Sequence, residues 1–495
     1  MNLIKLNHRR LRPTRITALT AAGLATIAAT TAVTAPAGHA DPTGTPTYRQ
    51  LAGFGSRETA PVMDALSNAV TINGVKVLGS YNPHGQSTPV QTKADPACVY
   101  RYQPPLGGVP NFSGGGYDAL VKEFVNAGAH GCVQFSRSSF VDPRPYAEYA
   151  VSLTYIPYAY DGTTFAVTGT SIIPRDLTFA DLRAIYTCDP GYVGTGPNYT
   201  IRALLPENGS DTRNAWLRIM GISETDVQSG HLPCVSDQGS QGAYPPGDLR
   251  MLTSNTLMPI SIASYNAQAA GVIPDVRGTA TLGSIQGTAP DLASPAFPAA
   301  FGGYSFAVGS GSTIPSQVTR SDLVQIYHCD PAYVGTAPNY AVHPLLPKAG
   351  TAARAAWESA VNITDSQLAA GQYPCVSDTR LGVPIAENDG RVLDATSLVP
   401  MSISAYLAQA GGTVPDVRGS ASLGMIDNVN PLTVNRNFAA GNEVDNVIAT
   451  QYVNTAPYST VFVGQNSLVC QNTAIIQRYG YGADPSCGNT TKQYD

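Results

Sequence analysis

The chain has 495 residues, 43% of them hydrophobic and 13% charged, with 48 Gly, 38 Pro and a formal net charge of −5. That length exceeds one ordinary core and predicts two or three domains, and the composition excludes a disordered chain. Mild acidity without a Lys/Arg run after residue 40 excludes a nucleic-acid or anionic-membrane surface, so a bound anion must be held by a local site.

In chain order, "HRRLRPTR" is a basic n-region, "ITALTAAGLATIAATTAV" a mildly apolar h-region and "AGHA" a small-residue cleavage site, so residues 1–40 read as a secretory signal cleaved after Ala40. No cysteine sits near that site to carry a lipid, and no later segment is long and apolar enough to span a bilayer. The expected product is secreted, extracellular and not inserted in a membrane. From Tyr48 to Tyr160, "LAGFGSRETAPVMDALSNAV" predicts a strand or turn running into a helix, "GGGYDALVKEFVNAGA" a second helix and "YAVSLTYIPYAY" a long β-rich run.

A repeat follows. Phe165 to Gly283 matches Phe306 to Gly424 at a constant offset of 141 positions; "DLRAIYTCDPGYVGTGPNY" from Asp181 aligns with "DLVQIYHCDPAYVGTAPNY" from Asp322. Within a copy, "TFADLRAIY" predicts a helix, "TIRALLP" a short strand, "DTRNAWLRIMG" a helix ending at Gly221 and "PISIASYNAQAAG" a strand running into a helix stopped by Gly271. Strand, glycine turn, helix is α/β grammar. In the tail, "YSTVFVGQNSLVC" reads as strand and "GADPSCGNTTKQYD" as loop.

Eight cysteines in a secreted chain predict disulfides. Cys188–Cys234 and Cys329–Cys375 share one spacing, and Cys98–Cys132 and Cys470–Cys487 follow by proximity. No metal or cofactor is expected, since there is no CxxC and the His are scattered.

Three turns carry the chemistry. In "LPENGSDTRNAW", Gly209 permits a tight turn and Ser210, Asp211 or Thr212 caps the helix behind it, so backbone N–H groups, hydroxyls and the Arg213 fork form an anion cradle. The second copy keeps Gly350, Thr351 and Arg354 but has Ala352 and Ala353 in place of Asp211 and Thr212, which predicts weaker binding or none. "GFGSRET" contributes Ser56 and Thr59, and "QFSRSSF" contributes Ser136, Arg137, Ser138 and Ser139. The first of these turns, taken alone, is accounted for by ordinary helix capping.

Together "GFGSRETAPVM", "FSRSSF", "TYIPYAYDGTTFAV", "LTFADLRAIYTC", "LPENGSDTRNAW", "ENDG" at Glu387 to Gly390 and "VFVGQNSLVCQNTAIIQRYG" resemble the two-lobed substrate-binding proteins of phosphate ABC transporters, in particular a secreted actinobacterial branch. The resemblance implies a periplasmic-binding-protein-like (type II) α/β fold in which two lobes close on a dehydrated oxyanion, here with a duplicated second lobe. The implied divisions are a first lobe over 41–160 completed by 430–495, a second lobe over 161–290 and its copy over 302–427. Implied ligand residues are Ser56, Thr59, Ser136, Arg137, Ser138 and Ser139 in the first lobe and Gly209, Ser210, Thr212 and Arg213 in the second. The implied partners are phosphate or a similar oxyanion and an ABC permease, the protein itself acting as a monomer. Two departures bear on the ligand. Arg57 and Glu58 stand where the branch has an Asp-Thr pair, and "FSRSSF" lacks the aspartate that accepts the proton of hydrogen phosphate, leaving Glu58 or Asp211 as candidate acceptors.

An enzyme is the competing class, but no GxSxG, HExxH or Walker loop occurs, nor the clustered Asp/His of a secreted phosphatase. A surface protein with a degenerate binding fold is the other alternative, with the 26 Tyr as contact residues.

Overall fold

The computed structural model describes residues 42–82, 89–100, 112–125, 130–139 and 151–494; the expected signal segment lies outside them. Strand β1 (Leu51–Gly55) leads into helix α1 (Ala60–Ala69), with Pro61 in its first turn, and pairs in parallel with β2 (Leu78–Ser80) and β3 (Phe135–Ser138). Helix α2 (Ser113–Val125) covers the opposite face: Val62, Met63 and Leu66 of α1 pack with Leu51 and Phe135, while Tyr117 and Leu120 of α2 pack with Ala52 and Phe54. The alternation along β1 thus feeds two apolar layers.

The "TYIPYAYDGTTFAV" run forms one 16-residue strand, β4 (Leu153–Thr168), buried along nearly its whole length. It enters copy 1, made of α3 (Phe179–Tyr186), β5 (Arg202–Leu204), α4 (Asp211–Met220), β6 (Val235–Ser236), β7 (Thr256–Ser261), α5 (Ile262–Ala269) and β8 (Ala280–Leu282), followed by β9 (Asp291–Ala293). Copy 2 comprises β10 (Tyr304–Val308), α6 (Arg320–Tyr327), β11 (His343–Pro344), α7 (Ala352–Val361), β12 (Ser397–Ser402), α8 (Ile403–Ala410) and β13 (Ser422–Leu423), followed by β14 (Leu432–Val434). The chain closes with β15 (Gly441–Ala449), α9 (Thr473–Arg478) and β16 (Lys492–Tyr494).

The main sheet runs β6-β5-β7-β4-β15-β3-β1-β2, with β8 and β16 also on β4. The first half of β4 pairs antiparallel with β15, and its second half pairs antiparallel with β7 and β8, so one strand belongs to two lobes. The β15 register shifts beside Pro157, where the missing N–H breaks the ladder. This is a two-lobed α/β fold with a second lobe written twice. Copy 2 builds its own sheet, β11-β12-β10-β13, and buries two apolar clusters of its own, whereas copy 1 shares one continuous cluster with the first lobe.

The copies meet back to back. Strand β9 pairs antiparallel with β14 in a register that sets Leu292 opposite Thr433, its own repeat counterpart. Arg277 Nη2 donates to Ser422 Oγ at 2.9 Å and Arg418 Nη2 to Thr281 Oγ1 at 3.4 Å, the same contact in both directions. Each of these guanidinium groups also lies 5.0 Å from the ring of its own copy's tyrosine, Tyr265 or Tyr406. The interface has the isologous form of a symmetric dimer held within one chain.

All four expected disulfides are present, Cys98–Cys132, Cys188–Cys234, Cys329–Cys375 and Cys470–Cys487, with Cα separations of 5.1, 5.6, 5.6 and 5.9 Å. Two local expectations are corrected. "YSTVF" is a short helix, Tyr458–Phe462, because burying Val461 and Phe462 and stacking Tyr458 on Tyr452 override β-branched propensity. The end is not all loop: β16 pairs with β4, and Lys492 Nζ holds Asp445 at 2.8 Å and Glu443 at 3.2 Å.

Candidate functional site

A small cavity opens where the first lobe meets copy 1, lined by Glu58, Asp161, Asp211, Ser139, Thr212 and Asn442 among others, with room for about one water molecule. The local backbone explains its walls. Gly116 lets α2 press onto β1 and β3, since a Cβ there would stand 2.2 Å from Ser136 Oγ and 2.7 Å from the Gly55 Cα. Gly209 takes φ +87°, and the chain turns there into α4 with Ser210 as N-cap, its Oγ accepting from the Arg213 N–H.

Hydrogen bonds cross the cleft in both directions. Ser113 N–H, at the start of α2, donates to Asp211 Oδ1 at 3.1 Å and Ser113 Oγ to Asp211 Oδ2 at 2.8 Å, and Ser139 Oγ, just past β3, donates to the same Oδ2 at 3.0 Å. In return, Thr212 N–H and Oγ1 donate to Glu58 Oε1 at 3.3 and 3.2 Å. Ser56 Oγ lies 3.1 Å from Glu58 Oε2 and 3.1 Å from Ser139 Oγ, joining the two carboxylates through hydroxyls. Nearer the rim, Arg57 pairs with Glu207 at 2.7 Å. The two residues that depart from the resemblance, Arg57 and Glu58, are thus both spent on the facing lobe.

Asp161, on β4, accepts from Ser261 Oγ at 2.6 Å and from the Ala263 and Gly162 N–H groups at 2.9 and 2.7 Å, capping α5. Burial nevertheless pushes its carboxyl up to about 6. Asp211 is also pushed up, by burial first and by the neighbouring Glu58 second, with the Ser56 and Ser113 donors opposing.

The remaining sequence-derived residues take other places. Arg213 is fully buried and saturated inside copy 1: Nε and Nη2 donate to Glu224 at 2.9 and 2.6 Å, and Nη1 to Asp237 and the Pro206 carbonyl at 2.9 Å each. Arg354 repeats this in copy 2, with Nη1 on Asp378 at 2.8 Å and the Pro347 carbonyl at 3.1 Å, and with Glu358 and Asp365 at 2.8 and 2.5 Å. Trp216 and Trp357 sit edge-on to Tyr186 and Tyr327 in the two cores. The shared glycine, arginine and tryptophan therefore build the lobe.

Arg137 is buried, donating to Ser80 Oγ, to Asn82 Oδ1 at 2.8 Å and to the Gly55 carbonyl at 3.3 Å, while Asn82 holds both oxygens of Asp64. Ser138 meets the Tyr117 hydroxyl, Ser136 lies under Gly116, and Thr59 Oγ1 donates to the Ser56 carbonyl at 3.0 Å. In copy 2, Thr351 Oγ1 donates to the Lys348 carbonyl at 3.0 Å and Gly350 takes φ +82°. The Ala353 N–H, counterpart of Thr212, donates to Glu387 Oε1 at 2.8 Å; Pro246 stands at that acid's position in copy 1.

Sequence reasoning named neither Ser113 nor Asp161 for this site. Ser113 was visible only as the residue opening a glycine-rich helix, and Asp161 as the acid in "YAYDGTT". Among the described residues no group of three or more His, Cys, Asp or Glu is arranged to hold a metal, and no helix is long and apolar enough to cross a membrane.

No protein-family model and no curated protein matches the chain. Among solved structures it is similar to a DING protein (13% identity, 88% of this chain and 91% of that one, TM-score 0.35). A human phosphate binding apolipoprotein gives the same identity and coverages with a TM-score of 0.33. A protein designated a phosphate ABC transporter substrate-binding protein, from Clostridium perfringens and solved with bound phosphate, is 16% identical over 48% of this chain and 76% of that one, TM-score 0.29.

Proposed function

We propose that this is a secreted, disulfide-linked solute-binding protein that takes a small oxyanion, phosphate being the leading candidate, between the first lobe and copy 1, for uptake or scavenging. One observation carries the reading. Donors from both walls, the Ser113 N–H and hydroxyl, Ser139 Oγ, Thr212 N–H and Oγ1, and Ser56 Oγ, converge on the oxygens of two carboxylates, which have the chemistry of the proposed ligand. Asp161 and Asp211 line the cavity, and in its ionised form a carboxylate there accepts the proton of a protonated oxyanion, which fully ionised sulfate does not carry.

Calorimetric titration of the mature chain, stripped of anion, tests this. Phosphate should bind in preference to sulfate, and Ser139→Ala with Thr212→Val should weaken it at least tenfold, as expected for hydrogen bonds to a charged group worth about 1.5–3 kcal/mol each. No phosphate heat under any condition would remove the reading. A second reading, an extracellular protein whose lobes serve as contact surfaces, is favoured by how little space the cavity leaves.

A further inference from the structure

We infer that Glu58 and Asp211 are built-in anions: each carboxylate occupies the donors of the opposite wall, so the cleft closes without solute, and an oxyanion enters only by displacing one of them. The inference rests on the oxyanion reading for the identity of the competitor, and on the cross-cleft bonds alone for the closure.

The exchange is reciprocal. Glu58, between β1 and α1, sits on the first turn of α4, while Asp211, in that turn, sits on the first turn of α2. A helix N-terminus with free N–H groups draws an oxyanion, and here each receives one from across the cleft. Copy 2 shows that the demand is general but the source is not. Its α7 is satisfied within the lobe by Glu387, whereas in copy 1 Pro246 offers no carboxylate and Glu58 fills the place from the other lobe. Arg57 adds an ion pair to Glu207, so two consecutive first-lobe residues bind copy 1. The cavity that remains has room for about one water, and a phosphate therefore requires a carboxylate to leave.

The experiment follows lobe closure and binding separately. Small-angle scattering is recorded on the mature chain and on Glu58→Gln, Asp211→Asn and the double variant, each in phosphate-free buffer and with excess inorganic phosphate. Calorimetric titration of inorganic phosphate into the same four proteins accompanies it, and near-UV circular dichroism reports whether each is folded. The native chain should be compact without phosphate and unchanged by it. The double variant should expand in phosphate-free buffer, recompact with phosphate and bind it at least tenfold more tightly than the native chain. Thr212→Val, which removes a donor and leaves both carboxylates, should also expand and serves if the double variant fails to fold. A native chain that expands without phosphate and compacts on its addition overturns the inference, as do variants that stay as compact as the native chain. If the variants open but none of the four proteins binds phosphate, the built-in anions stand and the oxyanion reading falls.

Discussion

Copy 1 and copy 2 keep the same scaffold and differ in what faces outward from it. Helices α4 and α7 begin at counterpart positions, each with a buried arginine tied to a returning aspartate and a proline carbonyl and each with a buried tryptophan. The acids differ. Asp161, Asp211 and Asp291 have Gly302, Ala352 and Leu432 as counterparts, so these buried carboxylates have no equivalent in copy 2. The duplicated arginine and tryptophan thus mark the lobe's architecture, and the unduplicated Asp161 and Asp211 mark the cleft.

The arginines give the sharpest way to break that comparison. Arg213→Ala and Arg354→Ala should each cost about 3 kcal/mol, the low end for removing one partner of a buried charge network, because the abandoned carboxylates are partly exposed and can rehydrate. Copy 2 has its own apolar clusters, so urea unfolding should show two transitions. Arg354→Ala should lower the midpoint of one and Arg213→Ala that of the other. If Arg213→Ala left stability unchanged and abolished only anion binding, Arg213 would be a cleft residue after all.

The dependence on pH sharpens the comparison next. Burial pushes Asp161 up to about 6 and Asp291 up to about 7 and raises Asp211, all above the unfolded aspartate value, so the folded state binds these protons more tightly. Their stabilising contribution is complete below about pH 4 and is lost as pH rises through 6 to 7. For Asp416 in copy 2 the sign is opposite. Asp416 is held at about 2 by Arg418 and Arg175 against the cost of burial, and its contribution is lost only as pH falls below 4. Calorimetric melting from pH 5 to pH 8 should therefore destabilise the first lobe with copy 1 by on the order of 3 kcal/mol and leave the copy 2 transition within about 1. Equal shifts in both transitions would deny that the buried acids set the two copies apart.

How much of this was readable beforehand follows the same division. The offset of the repeat and the matched cysteine spacing made the lobe elements and the disulfides legible, because local patterns written twice confirm each other. Arg213 read as a ligand because an arginine after a glycine turn looks the same whether it faces a cleft or its own lobe; the acids that claim it, Glu224 and Asp237, follow at a distance. A signal was present, since Asp365 and Asp378 repeat both acids at the same offset. Glu58 left no such trace. Its partner Thr212 lies 154 positions away, and no counterpart in the repeat marks the pair.

The smallest expected effect tests the symmetry of the seam between the copies. If the two copies associate as an isologous pair, the reciprocal contacts Arg277 to Ser422 and Arg418 to Thr281 are one interaction made twice, and truncating either acceptor should cost the same. Ser422→Ala and Thr281→Val each remove one hydroxyl hydrogen bond to a guanidinium that keeps its aspartate, Asp275 or Asp416, so about 1 kcal/mol is expected from each. The β9–β14 ladder is held by backbone bonds that neither change touches, and the two contacts share no donor or acceptor, so the double variant should lose the sum of the two. Unequal losses would show that the offset in distance between the two contacts, 2.9 against 3.4 Å, is a real asymmetry and that the seam has drifted from its two-fold origin as far as the cleft faces have.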